Sequence, residues 1–182
     1  MGIMLTGSRI YLRLTEPDDA QQRAEWMNDP GFREYLNSPY PVSTLSTKNW
    51  IKKSVEDQTR IDFAICLINS DKMIGYTGFR NIDLENNKAE SYTGIGNRDY
   101  WANGYAKESK TVALDYIFNR YNLNKVYAYI RSDHRESVKL NLSLGYIVEG
   151  TLRQDIFSNG RYFDMIVMSL LRDEYQNMNK SE

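Results

Sequence analysis

The chain has 182 residues, 41% of them apolar, and a formal charge of −1. That length suits one domain with a full hydrophobic core, and the charge balance argues against nucleic acid as the main partner. The single cysteine, Cys66, lies in the apolar run from Phe63 to Ile68, so no disulfide pair exists, and one histidine with one cysteine cannot make a structural zinc site. We expect no metal. No apolar run approaches ~18 residues and the start lacks a signal-peptide pattern, so the expected location is cytoplasmic with no membrane partner.

The run Ile10-Tyr11-Leu12-Arg13-Leu14 alternates as a half-buried strand should. Thr15-Glu16-Pro17-Asp18 then supplies a cap, a first-turn proline and acidic residues, and predicts a helix from about Asp18 to Met27. Asn28-Asp29-Pro30-Gly31 breaks it. A short helix and an irregular loop follow, up to a helix beginning near Ser46 or Thr47 whose Trp50, Ile51 and Val55 should face inward. Three apolar runs come next, about Ile61 to Ile68, Met73 to Ile82 and Ala89 to Gly96. The polar separators between them are short, which predicts an antiparallel meander.

A long helix to about Arg120 leads to the strand Lys125 to Ile130, which should run parallel to the strand ending at Gly96. A shorter helix, Ser137 to Leu144, is ended by Gly145. The strands Tyr146 to Leu152 and Tyr162 to Leu170 close the chain around the hairpin signal Ser158-Asn159-Gly160. The expected organisation is α/β (α+β): one domain over 1–172, with a mostly antiparallel sheet of six to seven strands and four or so helices. A polar tail over 173–182 should fray.

The stretch that joins the third run to the long helix carries the chemistry. Gly94-Ile95-Gly96-Asn97 ends a strand, and Ala102-Asn103-Gly104-Tyr105-Ala106-Lys107 opens the helix, with Asn103 as the expected N-cap. Helix starts favour acidic side chains, yet Lys107 and Lys110 stand here against Glu108 alone. A phosphate on the exposed N–H groups, with both lysines completing the charge match, would explain this; ordinary connective grammar would explain it equally.

Taken together the pattern resembles the GNAT acetyltransferases. Trp101-Ala102-Asn103-Gly104-Tyr105-Ala106 is similar to that superfamily's pyrophosphate loop, with tryptophan at its first place as in the Rim-type branch that acetylates ribosomal-protein N-termini. Arg9 to Arg13 with Pro17-Asp18-Asp19, Ile74-Gly75-Tyr76, Leu144-Gly145-Tyr146 and Glu149 to Arg153 resemble that branch too. The resemblance implies a sheet with a splayed central parallel pair. It implies acetyl-CoA as donor substrate and, as acceptor, an amine on a small molecule or a protein N-terminus, and it leaves a homodimer open.

Under this resemblance the coenzyme is held by Gly94, Ile95, Gly96, Asn97, Ala102, Asn103, Gly104, Tyr105, Ala106, Lys107, His134, Ser137 and Asn141. Gly94 and Gly96 would form a bulge, the Ile95 N–H would polarise the thioester oxygen, and Glu90 would be the general base. Glu85, Asp83 and Asp164 are weaker acceptor-binding candidates, and Trp26, Phe32, Tyr35 and Tyr40 lie in the segment that lines the acceptor groove in the family. Many relatives carry a tyrosine at the place of Asn141 as the acid for the departing thiolate, and asparagine cannot serve as one. That leaves solvent or another residue to protonate the thiolate, or else a non-catalytic acyl-CoA-binding regulatory protein.

Overall fold

The computed structural model describes residues 5–36 and 40–179; part of the expected irregular loop (37–39) and the end of the expected tail (180–182) lie outside these. A single eight-stranded sheet in the order β1-β2-β3-β4-β5-β6-β8-β7 forms the centre. Its strands are β1 (Leu5–Thr6), β2 (Ile10–Leu14), β3 (Ile61–Leu67), β4 (Met73–Asp83), β5 (Lys88–Ile95), β6 (Lys125–Arg131), β7 (Ile147–Ser158) and β8 (Arg161–Leu171). All neighbours run antiparallel except β5 and β6. The two-residue β1 is the strand that alternation alone is too short to reveal. Asn159 (φ 49°) and Gly160 (φ 80°) make the hairpin turn between β7 and β8, both in the left-handed region that such a two-residue turn requires.

Helices α1 (Ala20–Asn28), α2 (Pro30–Arg33) and α3 (Thr44–Glu56) precede the meander, α4 (Tyr105–Arg120) crosses from β5 to β6, and α5 (Arg135–Leu142) follows β6. Asp29 caps α2 and Ser43 caps α3, each side chain accepting from the backbone three residues on. Helix α3 turns Thr47, Ile51 and Ser54 inward and leaves Val55 69% exposed, so the inward stripe runs one residue off the expected one. The main core packs α4 residues Ala113, Leu114, Ile117 and Phe118 on Phe63, Ile65, Phe79, Ala89, Ile95, Val126 and Ala128 of the sheet.

The tail does not fray where expected. Arg172–Asn179 forms α6, anchored by Tyr175, which is buried, stacks on Phe118 at 5.2 Å and donates its hydroxyl to Asp115 at 2.7 Å. Arg172, the first residue of the helix, adds a bond from its Nη2 to Phe118 O at 2.6 Å, and Met178 packs over Gly145.

Candidate active site

The parallel pair β5/β6 is joined by three residue pairs only, Lys88 with Lys125, Ala89 with Val126 and Glu90 with Tyr127. Beyond Glu90 the strands part, which leaves the edge of β5 from Ser91 to Ile95 unpaired on the β6 side. The ladder to β4 sets which groups face that opening. Gly96 N donates to Ile74 O at 2.9 Å, so Tyr76 with Gly94 is a hydrogen-bonded pair and Gly75 with Ile95 is not. The N–H groups of Thr93 and Ile95 therefore point away from β4, toward the opening. A wedge of bare backbone of this kind accepts an extended, amide-bearing ligand as a further strand would be accepted.

The register between β4 and β5 is regular at Gly94 and shifts only between Arg80 and Asp83, so the expected bulge at Gly94 and Gly96 is absent. Close packing explains both glycines. A Cβ on Gly94 would sit 3.0 Å from the Phe32 ring, and one on Gly96 would overlap the Trp26 indole. The N–H groups of Gly96 and Asn97 both reach Ile74 O, and the Asn97 side chain accepts from Asp99 N. These two residues shape the turn and have no backbone N–H to spare.

From there the chain passes through Trp101 and Ala102 (φ 58°) to Gly104 (φ 80°), which is the N-cap of α4 and supplies no side-chain cap. Asn103, expected in that role, instead turns its amide to Asp99 O at 3.3 Å. The first intrahelical bond runs from Glu108 N to Gly104 O, so the Tyr105, Ala106 and Lys107 N–H groups point out of the helix end. Such an end attracts phosphate through its free donors and its dipole.

Arg9 fixes this loop from the turn between β1 and β2. Its Nη1 donates to Asn103 O (3.0 Å), its Nε to Glu108 (2.8 Å), and its guanidinium covers the Tyr105 ring at 4.3 Å. Burial would raise the Glu108 pKa, but the Arg9 backbone N–H, which donates to it at 2.7 Å, and the Arg9 guanidinium together hold the carboxyl below its usual range. The Trp101 indole donates to Ile95 O at 2.6 Å and so ties the loop back to the open edge of β5.

On the opposite face of the sheet from α4, β5 carries Glu90 and Tyr92. Glu90 is buried; one oxygen accepts from Arg80 (2.5 Å) and the other from Asn81 (2.9 Å). Asp62 is bound by Arg60 and by the Tyr92 hydroxyl, and burial raises the Tyr92 pKa well above its ordinary value. Arg23 lies between Trp50 (4.4 Å) and Tyr76 (4.0 Å), and Phe32 meets Tyr76 edge-on.

At the far strand, the half-buried His134 stacks flat on Tyr35 with ring centres 4.0 Å apart, while Arg131 donates to Glu34 O at 2.9 Å. Burial, with Arg131 alongside, lowers the His134 pKa and favours neutral imidazole. Asp83 accepts from the Asn86 N–H and amide, and Asp164 from Gln154 N, so both serve turn and strand geometry; Glu85 is exposed.

A family model described as "Acetyltransferase (GNAT) domain" matches residues 9–147. The chain is a GNAT acetyltransferase. It is 33% identical to an uncharacterized N-acetyltransferase, p20, of Bacillus licheniformis, covering 92% of this chain and 95% of that one. It is 34% identical to a spermidine N(1)-acetyltransferase of Vibrio cholerae, covering 96% and 99%. A putative ribosomal N-acetyltransferase of Bacillus subtilis, YdaF, is 25% identical over 92% of this chain and 93% of its own length. Among solved structures, Vibrio cholerae spermidine N-acetyltransferase in complex with CoA and spermine superposes with a TM-score of 0.87 at 25% identity, covering 93% of this chain and 99% of that one.

In this N-acetyltransferase the expected residues other than Glu90, on the opposite face, and Gly96, Asn97 and Asn103, in the turn, fall into three groups. Gly94, Ile95, Ala102 and Gly104 to Lys107 gather along the open edge and the helix start. His134 and the half-buried Ser137 sit at the start of α5, just beyond the end of β6. Asn141 is buried instead, its Oδ1 held by Lys110 Nζ at 2.5 Å and its Nδ2 by Ser137 O at 2.7 Å. Lys110 therefore does not join Lys107 at the helix end. Sequence reasoning missed Arg9, for which no spacing speaks. It also misplaced Lys110, which falls four residues after Ala106 and three before Ala113, on the apolar stripe of α4.

Proposed function

We propose that the enzyme transfers acetyl from acetyl-CoA to a primary amine by direct attack in a ternary complex. The observation that carries this is the opening of β5 from β6 next to the start of α4, which no side chain caps. The diphosphate of the coenzyme rests on the Gly104 to Lys107 amides, and its pantetheine pairs with the free edge of β5 at Thr93. His134 and Ser137 bound the same slot. The Ile95 N–H donates to the thioester oxygen as it gains charge in the tetrahedral intermediate. Glu90 receives the proton from the attacking nitrogen, through water, and Arg80 and Asn81 hold its carboxylate in place.

The acceptor supported best by relatedness is a polyamine of the spermidine type, given 34% identity over nearly the full length of a spermidine acetyltransferase. One feature favours a singly charged amine, such as a peptide N-terminus, as second reading. The carboxylates of Asp29, Asp62 and Glu90 are each paired with an arginine, Arg98, Arg60 and Arg80 respectively, and a polycation would have to compete with those partners.

An acceptor screen by thiol release from acetyl-CoA separates the readings: spermidine turned over at micromolar KM supports the first, peptides beginning with a small residue the second. Coenzyme binding without thiol release from any polyamine, peptide or amino sugar would reject catalysis of this kind. Glu90→Gln is expected to retain coenzyme affinity and to lower kcat about 10- to 100-fold near neutral pH. A pH–rate profile identical to the parent would remove Glu90 from the reaction.

A further inference from the structure

Where β5 and β6 part there is a buried polar cluster with no acid in it. Ser91, the first residue of β5 beyond the last pair, donates its Oγ to Tyr127 O at 3.2 Å and lies 3.0 Å from the Tyr146 hydroxyl. The Tyr146 ring carries Lys110 Nζ on its face at 4.5 Å, and the same Nζ donates to Asn141 Oδ1 at 2.5 Å. Ser91, Lys110, Asn141 and Tyr146 are each 5% exposed or less. A lysine in such a place is costly, because its charge is taken out of water and, among the described residues, met only by a neutral amide oxygen and a ring face. A methionine or leucine would fill the same space on the α4 stripe at no such cost.

Resting on the acetyl-transfer reading above, we propose that Lys110 is the acid of the reaction, its ammonium giving a proton to the coenzyme thiolate as the thioester C–S bond breaks. The electron pair of that bond leaves on sulfur and takes the proton from Nζ. Lys110 becomes a neutral amine, and the proton shed by the acceptor nitrogen as the amide forms restores it through Glu90 and solvent. The balance needs no further reactant. Asn141 holds the ammonium in one orientation, since its own Nδ2 is fixed by the Ser137 carbonyl. Burial lowers the Lys110 pKa to about 7, with no charged neighbour contributing, so the group can both give and regain a proton at neutral pH. Tyr146, the other titratable group against it, is raised by burial and stays protonated throughout.

The test compares the parent with Lys110→Met in steady-state rates from pH 5.5 to 9.5, with the affinity of each for acetyl-CoA measured by calorimetry. The expected result is coenzyme affinity within about threefold of the parent, kcat lower by about 100-fold at pH 6.5, and loss of the falling alkaline limb that the parent shows near pH 7. A Lys110→Met kcat within threefold of the parent, or the same alkaline limb in both proteins, overturns the proposal. So does a parent kcat that climbs without a break to pH 9.5, a readout that needs no variant to fold. Failure of the parent to bind acetyl-CoA would reject the acetyl-transfer reading itself, which keeps the two failures distinct.

Discussion

Two lysines stand three residues apart on α4 and have opposite fates. Lys107, in the first turn, is exposed at a helix end whose donors face outward. Lys110, almost one turn later, is 3% exposed and, among the described residues, its ammonium meets only an amide oxygen and an aromatic face. Residue type and spacing alone made both into phosphate partners. The rotation of about 100° per residue decides otherwise, because it carries position 110 onto the stripe shared by Ala106, Ala113 and Ile117. A charge on a helix is thus read by its face before its distance from the helix end.

The largest expected effect breaks the first-turn half of the comparison. Gly104→Val forces a branched side chain into φ 80°, where among the described residues only Arg9 Nη2 lies near the new Cβ, so the strain and the bulk fall on the loop and its ligand and spare the core. Acetyl-CoA binding should be lost in calorimetry while circular dichroism remains that of the parent. Unchanged affinity would sever the helix start from the coenzyme.

The next effect concerns stability at the buried position. The folded pKa of Lys110, about 7, lies below its unfolded value of 10.5, so the penalty of burying the charge is complete below pH 7 and fades as pH rises toward 10.5. Linkage puts that penalty at roughly 4–5 kcal/mol, and leaving the Asn141 oxygen without a donor returns about 1–3 kcal/mol. Lys110→Met should therefore gain about 2 kcal/mol in urea unfolding at pH 6, with the gain gone by pH 10. A gain independent of pH would show that the ammonium is not the source of the cost.

Arg9→Ala should raise the KM for acetyl-CoA by about tenfold with little change in kcat, because the Asn103 carbonyl and Glu108 lose the partner that shapes the loop. Lys107→Met is the mildest change, a KM increase of about threefold at low salt that disappears near 0.5 M, as expected of an exposed charge acting on a phosphate. A salt-independent effect at Lys107, or a salt-dependent one at Lys110, would undo the contrast between them.

Much of the architecture was legible because it rests on period and punctuation. The meander, the crossover and the Asn159-Gly160 turn follow from alternation, short polar separators and left-handed turn residues. The strand end at Gly94 and Ile95 and the helix start at Gly104 were legible for the same reason. What escaped depends on contacts distant in sequence: Arg9 lies 99 residues from Glu108, and Lys110 lies 31 from Asn141. Tyr175 was hidden among polar neighbours, and Val55 differs from the inward Ile51 and Ser54 only by its place on the helix. Gly96 was readable as special but not for its reason, since the indole that excludes a side chain there comes from α1.

The most direct measurement is an amide NMR titration of the nitrogen-15-labelled enzyme with CoA. Saturable shifts should be largest at Gly104 to Lys107, and at Thr93 and Ile95 on the open edge of β5. Shifts confined to other surfaces, with those amides unmoved at saturation, would contradict the placement of the coenzyme on which the rest of the chemistry is built.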